Sequence, residues 1–300
     1  MSGELGALET EGRAAGLADL DLRPTVEVVR AVLRGHAEVL AAVEAAEPAI
    51  AALADAAAAR LGAGGRMVYA GAGSAGRLAF VDATEWGPTF SVPAGAVHAL
   101  VAGAGHPAGS VAEAAAEDDA AAGAAAVRAL RPRAADVVVA VSASGRTPYA
   151  LGALEAAAEA GALAGAIVCA RGSELARRAD LSVEVPVGAE VVSGSTRLKA
   201  GTAQKLVLNA FSTAVMVRRG RTLGDLMTSM RVANEKLRDR AARVCMAAAG
   251  CREEDARAAL GAAADDVSLA VVMLVRGVDA DAGRALLERT GGALRRALET

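Results

Sequence analysis

The chain has 300 residues, 54% of them hydrophobic but only 2% aromatic, and its 32 Lys and Arg stand against 35 Asp and Glu for a net charge of −3. That length supports one large domain or two small ones, with a core built mostly from Ala, Val and Leu. No basic block with interleaved aromatics is present, which excludes a nucleic-acid role, and charge or glycine breaks every apolar run before membrane-spanning length.

The first residues, MSGELGALETEGR, are acidic and lack an apolar signal core, so the expected location is the cytoplasm. Three cysteines, Cys169, Cys245 and Cys251, form no CxxC pair. An odd count without metal spacing argues against a disulfide framework and a zinc site, and all three are expected as small buried side chains.

In chain order, residues 24–62 read as helix: Val26, Val29, Val32, Leu33, Val39, Leu40, Val43 and Ile50 recur at three- and four-residue steps, and Gly62, Gly64 and Gly65 close it. Strand candidates follow at Arg66–Ala70, Ala96–Ala102, Asp136–Ser142, Ala164–Ala170 and Leu181–Val187, separated by helical patterns at 76–86, 109–130, 149–161 and 172–178. Such alternation predicts a parallel sheet with helices on both faces. Beyond Val187 the strands stop. Lys199–Arg218 and Leu223–Ala249 read as long helices, and Glu253–Ala264, Asp266–Val275 and Ala280–Leu298 as three short ones, punctuated by Gly277 and Gly291–Gly292. The expected division is an N-terminal helical segment (1–55), a ligand-binding α/β domain (56–220) and a C-terminal helical region (221–300).

Three turns carry chemistry. GAGSAGR (Gly71–Arg77) lies between strand and helix and fits GxGxxG. A dinucleotide site would also need an acidic residue about 20 residues on, at the end of the next strand. That strand ends in VAGAGHP, which offers none; Asp82 and Glu85 come before it. The second turn, SASGRTP, places Ser142, Ser144 and Thr147 at the carboxyl end of a central strand, the edge where doubly wound sheets bind ligands. One serine would suffice for a helix cap. Three hydroxyls beside free N–H groups at a helix start suit a phosphate. The third turn, GAEVVSGSTRLKAGTAQK (Gly188–Lys205), mixes Glu190, Ser193, Ser195, Thr196, Arg197 and Lys199 in a short span before a long helix.

These segments carry a resemblance. SASGRTP resembles the phosphosugar-binding turn of sugar isomerase (SIS) domains. GAEVVSGSTRLKAGTAQK resembles the signature shared by the N-acetylmuramic acid 6-phosphate etherases and the glucokinase regulatory proteins, and AGAGSAGRLAFVDATEWGPTF and NEKL are similar to etherase segments. The likeness runs from TEGR (Thr10–Arg13) to GGALRRAL. It implies an α/β fold of SIS type, with a doubly wound five-stranded parallel sheet, flanking helices and a small C-terminal helical domain. It further implies a homodimer with sites near the interface, a phosphorylated amino sugar as substrate, and no metal or cofactor. The activity implied is cleavage of the lactyl ether of N-acetylmuramic acid 6-phosphate, to N-acetylglucosamine 6-phosphate and D-lactate, in cell-wall recycling.

The resemblance maps one catalytic carboxyl onto Glu85 in DATEWGPTF and the other onto Glu117 in AAAEDDA, where the AED context selects Glu117 over nearby Glu113. Trp86-Gly87 stands where family members often carry Cys-Pro, while Pro88 and Thr89 are kept. Ser142, Ser144 and Thr147 are expected to hold the phosphate, helped by Ser74 and Ser195, while Glu190 and Lys199 shape the site or the dimer contact. The chemistry needs two carboxyls: one takes the proton from carbon 2 of the open-chain sugar, and the other protonates the lactate leaving carbon 3. A sugar-phosphate-binding regulator and a phosphosugar isomerase are the alternative readings. His36, His98 and His106 gather in no motif.

Overall fold

A computed structural model describes residues 12–106 and 110–300. The chain forms two compact units: Met1–Ala83 with Val97–Ser212, and Thr84–Ala96 with Thr213–Thr300.

In the first unit the 24–62 pattern is not one helix. It divides into α1 (Thr25–Gly35), a short 3-10 turn at His36–Glu38, α2 (Val39–Ala45) and α3 (Glu47–Gly62). Pro48 sits in the first turn of α3; lacking an N–H, it starts a helix readily and cannot continue one. Then come β1 (Met67–Gly71), α4 (Gly73–Phe90), β2 (Val97–Val101), α5 (Val111–Ala116), α6 (Ala120–Ala129), β3 (Val137–Ser142), α7 (Pro148–Glu159), β4 (Leu163–Val168), α8 (Glu174–Arg178), β5 (Leu181–Glu184) and α9 (Lys199–Arg218), with the last residues of α4, from Thr84, and of α9, from Thr213, belonging to the second unit.

The five expected strands form one parallel sheet, ordered β2-β1-β3-β4-β5. Every residue of β1, β3 and β4 is buried, the mark of strands covered on both faces. Val68, Ala70, Val138, Ala140, Ala153, Ala157 and Leu175 belong to one cluster of buried side chains on one side of the sheet. The helix expected at 109–130 is interrupted between α5 and α6. Asp119 caps α6, its carboxylate accepting from the Ala122 N–H at 2.8 Å.

At the head of the sheet, Asp136 is fully buried and binds the entry of β1. It takes Arg66 Nη2 at 2.7 Å, the Arg66 N–H at 2.8 Å and the Arg133 N–H at 2.9 Å.

In the second unit, α10 (Glu235–Ala249), α11 (Glu253–Ala262), α12 (Val267–Arg276), α13 (Ala280–Arg289) and α14 (Leu294–Glu299) surround a cluster that includes Cys245, Leu260, Leu269, Val271, Val272 and Leu294. Asn234, Asp266 and Asp279 cap three of these helices through their side chains. The helix expected over Leu223–Ala249 exists only from Glu235. Leu223 and Leu226 exchange N–H···O bonds of 3.2 and 3.1 Å across a tight turn. Leu223, Leu226 and Met227 are spaced like a helix face, but they pack on the helical cluster from irregular backbone. The last expected helix is likewise two, separated at Gly291–Gly292.

Cys169 and Cys245 are buried free thiols, as expected, whereas Cys251 is only half-buried. Burial, then the nearby Glu190 charge, pushes the Cys169 thiol up to about 12. Burial, with Cys251 beside it, does the same to Cys245. Among the described residues no single helix is long and apolar enough to cross a membrane.

Candidate functional site

The sheet order sets the location. From β1 the chain crosses to β2 on one side, and β3 pairs with β1 on the other, so the order reverses between β1 and β3. Gly71 is in register with Val141, so the turns after these two strands leave the sheet side by side. In doubly wound sheets this crevice is where ligands bind.

Here it is a cavity of about 230 Å³, lined by Ala72–Ala75 after β1, Glu117 between α5 and α6, Ser142–Ser144 and Thr147 after β3, and Gly194, Thr196 and Gln204 from the third turn and α9.

Local sequence explains each wall. After β1 the backbone turns at once into α4. A Cβ on Gly76 would come within 2.7 Å of the Gly71 carbonyl oxygen, so helix and strand meet only because that residue is glycine. After β3, Gly145 has φ +64°, and a side chain there would run into the Ser173 hydroxyl. Pro148 then opens α7, with Thr147 at its N-cap.

Thr147 makes no capping bond with its side chain. Its hydroxyl donates instead to Glu117 Oε1 at 3.1 Å and shares a 2.9 Å bond with Ser142 Oγ. Since Thr147 has a single hydroxyl proton, Ser142 must be the donor to it. Ser142 in turn accepts from the Gly145 N–H at 3.0 Å. The result is a directed chain: Gly145 N–H to Ser142, Ser142 to Thr147, Thr147 to the Glu117 carboxylate. Ser144 is less engaged, accepting from the Arg146 N–H at 3.3 Å and lying 3.5 Å from Ser142 Oγ.

The cavity wall carries no Lys or Arg. What favours an anion is the start of α4, whose first residues Gly73, Ser74 and Ala75 line the cavity and bring the positive end of its dipole there. At α7, Pro148 has no N–H and the Tyr149 N–H is bonded to the Glu117 carbonyl at 3.0 Å.

The structure thus brings together Ser74, Glu117, Ser142, Ser144 and Thr147. Glu113 is committed elsewhere, to a 2.5 Å ion pair with Arg77. Glu85 is exposed, lies on the C-terminal part of α4 within the second unit, and is not part of the cavity wall. Its neighbour Trp86 is almost fully buried. Ser195 is half-buried outside the wall, with its N–H on the Val192 carbonyl at 2.9 Å.

Glu190 is fully buried, and its carboxylate accepts from the Lys199 and Ala200 N–H groups at 2.8 and 3.0 Å, holding the third turn against the start of α9. Lys199 is buried too, with Nζ 3.3 Å from the Ala189 carbonyl. Asp82, weighed above as a ribose ligand, is buried and accepts from Tyr69 Oη at 2.7 Å and Ser212 Oγ at 2.9 Å.

One cavity residue escaped the sequence reading. Gln204 stands on a helix face whose other members, Ala200, Ala203, Val207, Leu208 and Phe211, are all buried. A lone amide at a core position of an apolar stripe was the signal available. Among the described residues no group of three or more His, Cys, Asp or Glu could hold a metal ion.

The parallel sheet, the crevice at its reversal and the hydroxyl turn define the SIS class. Residues 121–214 match the SIS domain family, and residues 35–158 match the N-terminal SIS domain of the glucokinase regulatory protein. Over 298 residues the chain is 48% identical to the N-acetylmuramic acid 6-phosphate etherase of Rubrobacter xylanophilus, covering 99% of this chain and 98% of that one. It is 46% identical to the protein of that name from Streptomyces avermitilis and 42% to that of Mesorhizobium japonicum, over 99% of its length in both cases. The chain belongs to the N-acetylmuramic acid 6-phosphate etherase family.

Proposed function

We propose that this protein cleaves the D-lactyl ether of N-acetylmuramic acid 6-phosphate, giving N-acetylglucosamine 6-phosphate and D-lactate in the recycling of cell-wall amino sugars. The observation that carries the reading is the 48% identity over nearly the whole of both chains. The phosphate sits at the hydroxyl turn, held by Ser144 with Ser74 and Ser195, and by Ser142 and Thr147 once their hydroxyl protons turn from Thr147 and Glu117 to the phosphate, which also frees the Glu117 carboxylate. Glu190 and Lys199 keep the third turn in shape. The sugar opens to its aldehyde, which makes the carbon-2 hydrogen acidic. Glu117 takes that proton, the carbon 3–oxygen bond breaks, and Glu85 gives a proton to the departing lactate oxygen. Water then adds at carbon 3 and carbon 2 regains a proton.

Support for Glu117 as the base is its place in the wall, hydrogen-bonded to Thr147, which lines the cavity with Ser142 and Ser144. Phosphate binding fixes the reacting carbons against it. Glu85 as the acid rests on the motif alone. The enzyme works as a cytoplasmic homodimer with sites near the interface, and its segments 1–55, 56–220 and 221–300 serve as N-terminal arm, phosphosugar domain and helical C-terminal region.

The test is D-lactate release from N-acetylmuramic acid 6-phosphate, with proton NMR in heavy water. Glu85→Gln is expected to slow lactate release about 10²–10⁴-fold while carbon-2 exchange persists. Glu117→Gln loses both, because no carbanion forms. The opposite pattern reverses the two roles. If neither change slows release, these glutamates are not the catalytic pair. Binding of the sugar phosphate by wild type without turnover would favour a regulator, the reading to which the glucokinase regulatory protein match at 35–158 lends weight.

A further inference from the structure

Gln204 is 1% exposed, lines the cavity with Ser74, Ser142, Ser144 and Thr147, and has a buried Nε2 without a hydrogen-bond partner among the described residues. Buried polar groups are nearly always paired, so an orphan amide inside an otherwise apolar helix stripe needs a reason. An amide nitrogen only donates, so what it awaits is an acceptor. The lining residues include no Lys or Arg, so an anion in this cavity depends on neutral donors such as this one.

We propose that Gln204 is a substrate-binding residue whose side-chain N–H bonds an oxygen of the bound phosphate, completing from α9 the subsite that the Ser142–Thr147 turn begins. This rests on the phosphosugar reading above.

A residue kept for structure and one kept for binding respond oppositely to loss of the amide. Gln204→Met fills the site with an apolar chain of similar length and removes an unsatisfied donor, so thermal stability is expected to hold or rise. Affinity is expected to fall about tenfold for both N-acetylglucosamine 6-phosphate and inorganic phosphate in titration calorimetry, the effect of losing one hydrogen bond to a charged group. Gln204→Glu, nearly isosteric, replaces the donor by a carboxylate facing the phosphate and loses more; it carries the test if the Met variant fails to fold.

Wild-type affinity in both variants overturns the proposal, as does an equal loss of affinity for unphosphorylated N-acetylglucosamine. A wild-type protein that binds neither phosphosugar nor phosphate fails differently: the phosphosugar reading falls, and the proposal with it.

Discussion

Thr147 is where one side chain changes the meaning of a motif. A threonine ahead of Pro148 reads as a helix cap, yet its hydroxyl serves Glu117 and Ser142 instead. Ser144 beside it holds only the weaker bonds of 3.3 and 3.5 Å, which leaves its hydroxyl the most available for a ligand. Ser144→Ala is therefore expected to weaken phosphosugar binding about ten- to a hundredfold with little change in folding, the range for one hydrogen bond to a charged group at roughly 1.5–3 kcal/mol. Titration with phosphorylated and plain N-acetylglucosamine measures it, and equal losses for the two would remove the phosphate from this turn. Gln204 is the counter-case: nothing local explains it, because its purpose lies across the cavity rather than along the helix.

Among elements, β1 and β3 depend on a charge at their shared edge. Burial alone would raise the Asp136 pKa. The hydrogen bonds from the Arg66 guanidinium and the Arg133 and Arg66 N–H groups outweigh it and hold the carboxyl below the usual Asp range. A folded pKa below the unfolded one, near 3.9, gives stability that is present above about pH 4 and lost as the pH falls further. Asp136→Asn is expected to cost about 1–3 kcal/mol at pH 7, by weakening bonds to buried N–H groups and to Arg66. The difference from wild type should narrow at pH 3. Urea unfolding at the two pH values tests this, and a constant difference would show that the charge is not responsible. Glu190 does similar work at α9: its carboxylate takes two first-turn N–H groups and so fixes where the third turn enters the helix.

At the scale of the molecule, Val26, Val29 and Leu33 are exposed along one face of α1, with Leu22 exposed ahead of the helix and Leu40 exposed in α2. A contiguous apolar stripe in water marks an interface. The homodimer proposed above covers it, and light scattering at micromolar concentration is expected to give twice the 29.8 kDa chain mass. Val29→Glu with Leu33→Glu should shift the mass to that of one chain. A wild-type monomer would leave the stripe unexplained.

Much of this protein was written locally. The strands β1, β3 and β4 are near-continuous apolar runs, a pattern that needs only covering helices to become a parallel sheet. The Ser142–Thr147 turn was legible because three hydroxyls exceed what a cap requires. Breaks in helices were less so. Apolar spacing at 223–227 is the same whether a helix or an irregular turn presents it, and the division of 109–130 into α5 and α6 turned on a single cap at Asp119. That division puts Glu117 at a helix end and into the cavity wall, 30 residues from the Thr147 to which it is bonded. The sequence alone determined which residue types were available and on which strands and turns they stand. Which of Glu113 and Glu117 faces the hydroxyl turn, that Glu190 is consumed by a helix start, and that Gln204 lacks a partner were decided by tertiary structure. Side-chain hydrogen bonds are satisfied by whatever the fold brings within about 3 Å, and periodicity along the chain carries no record of that.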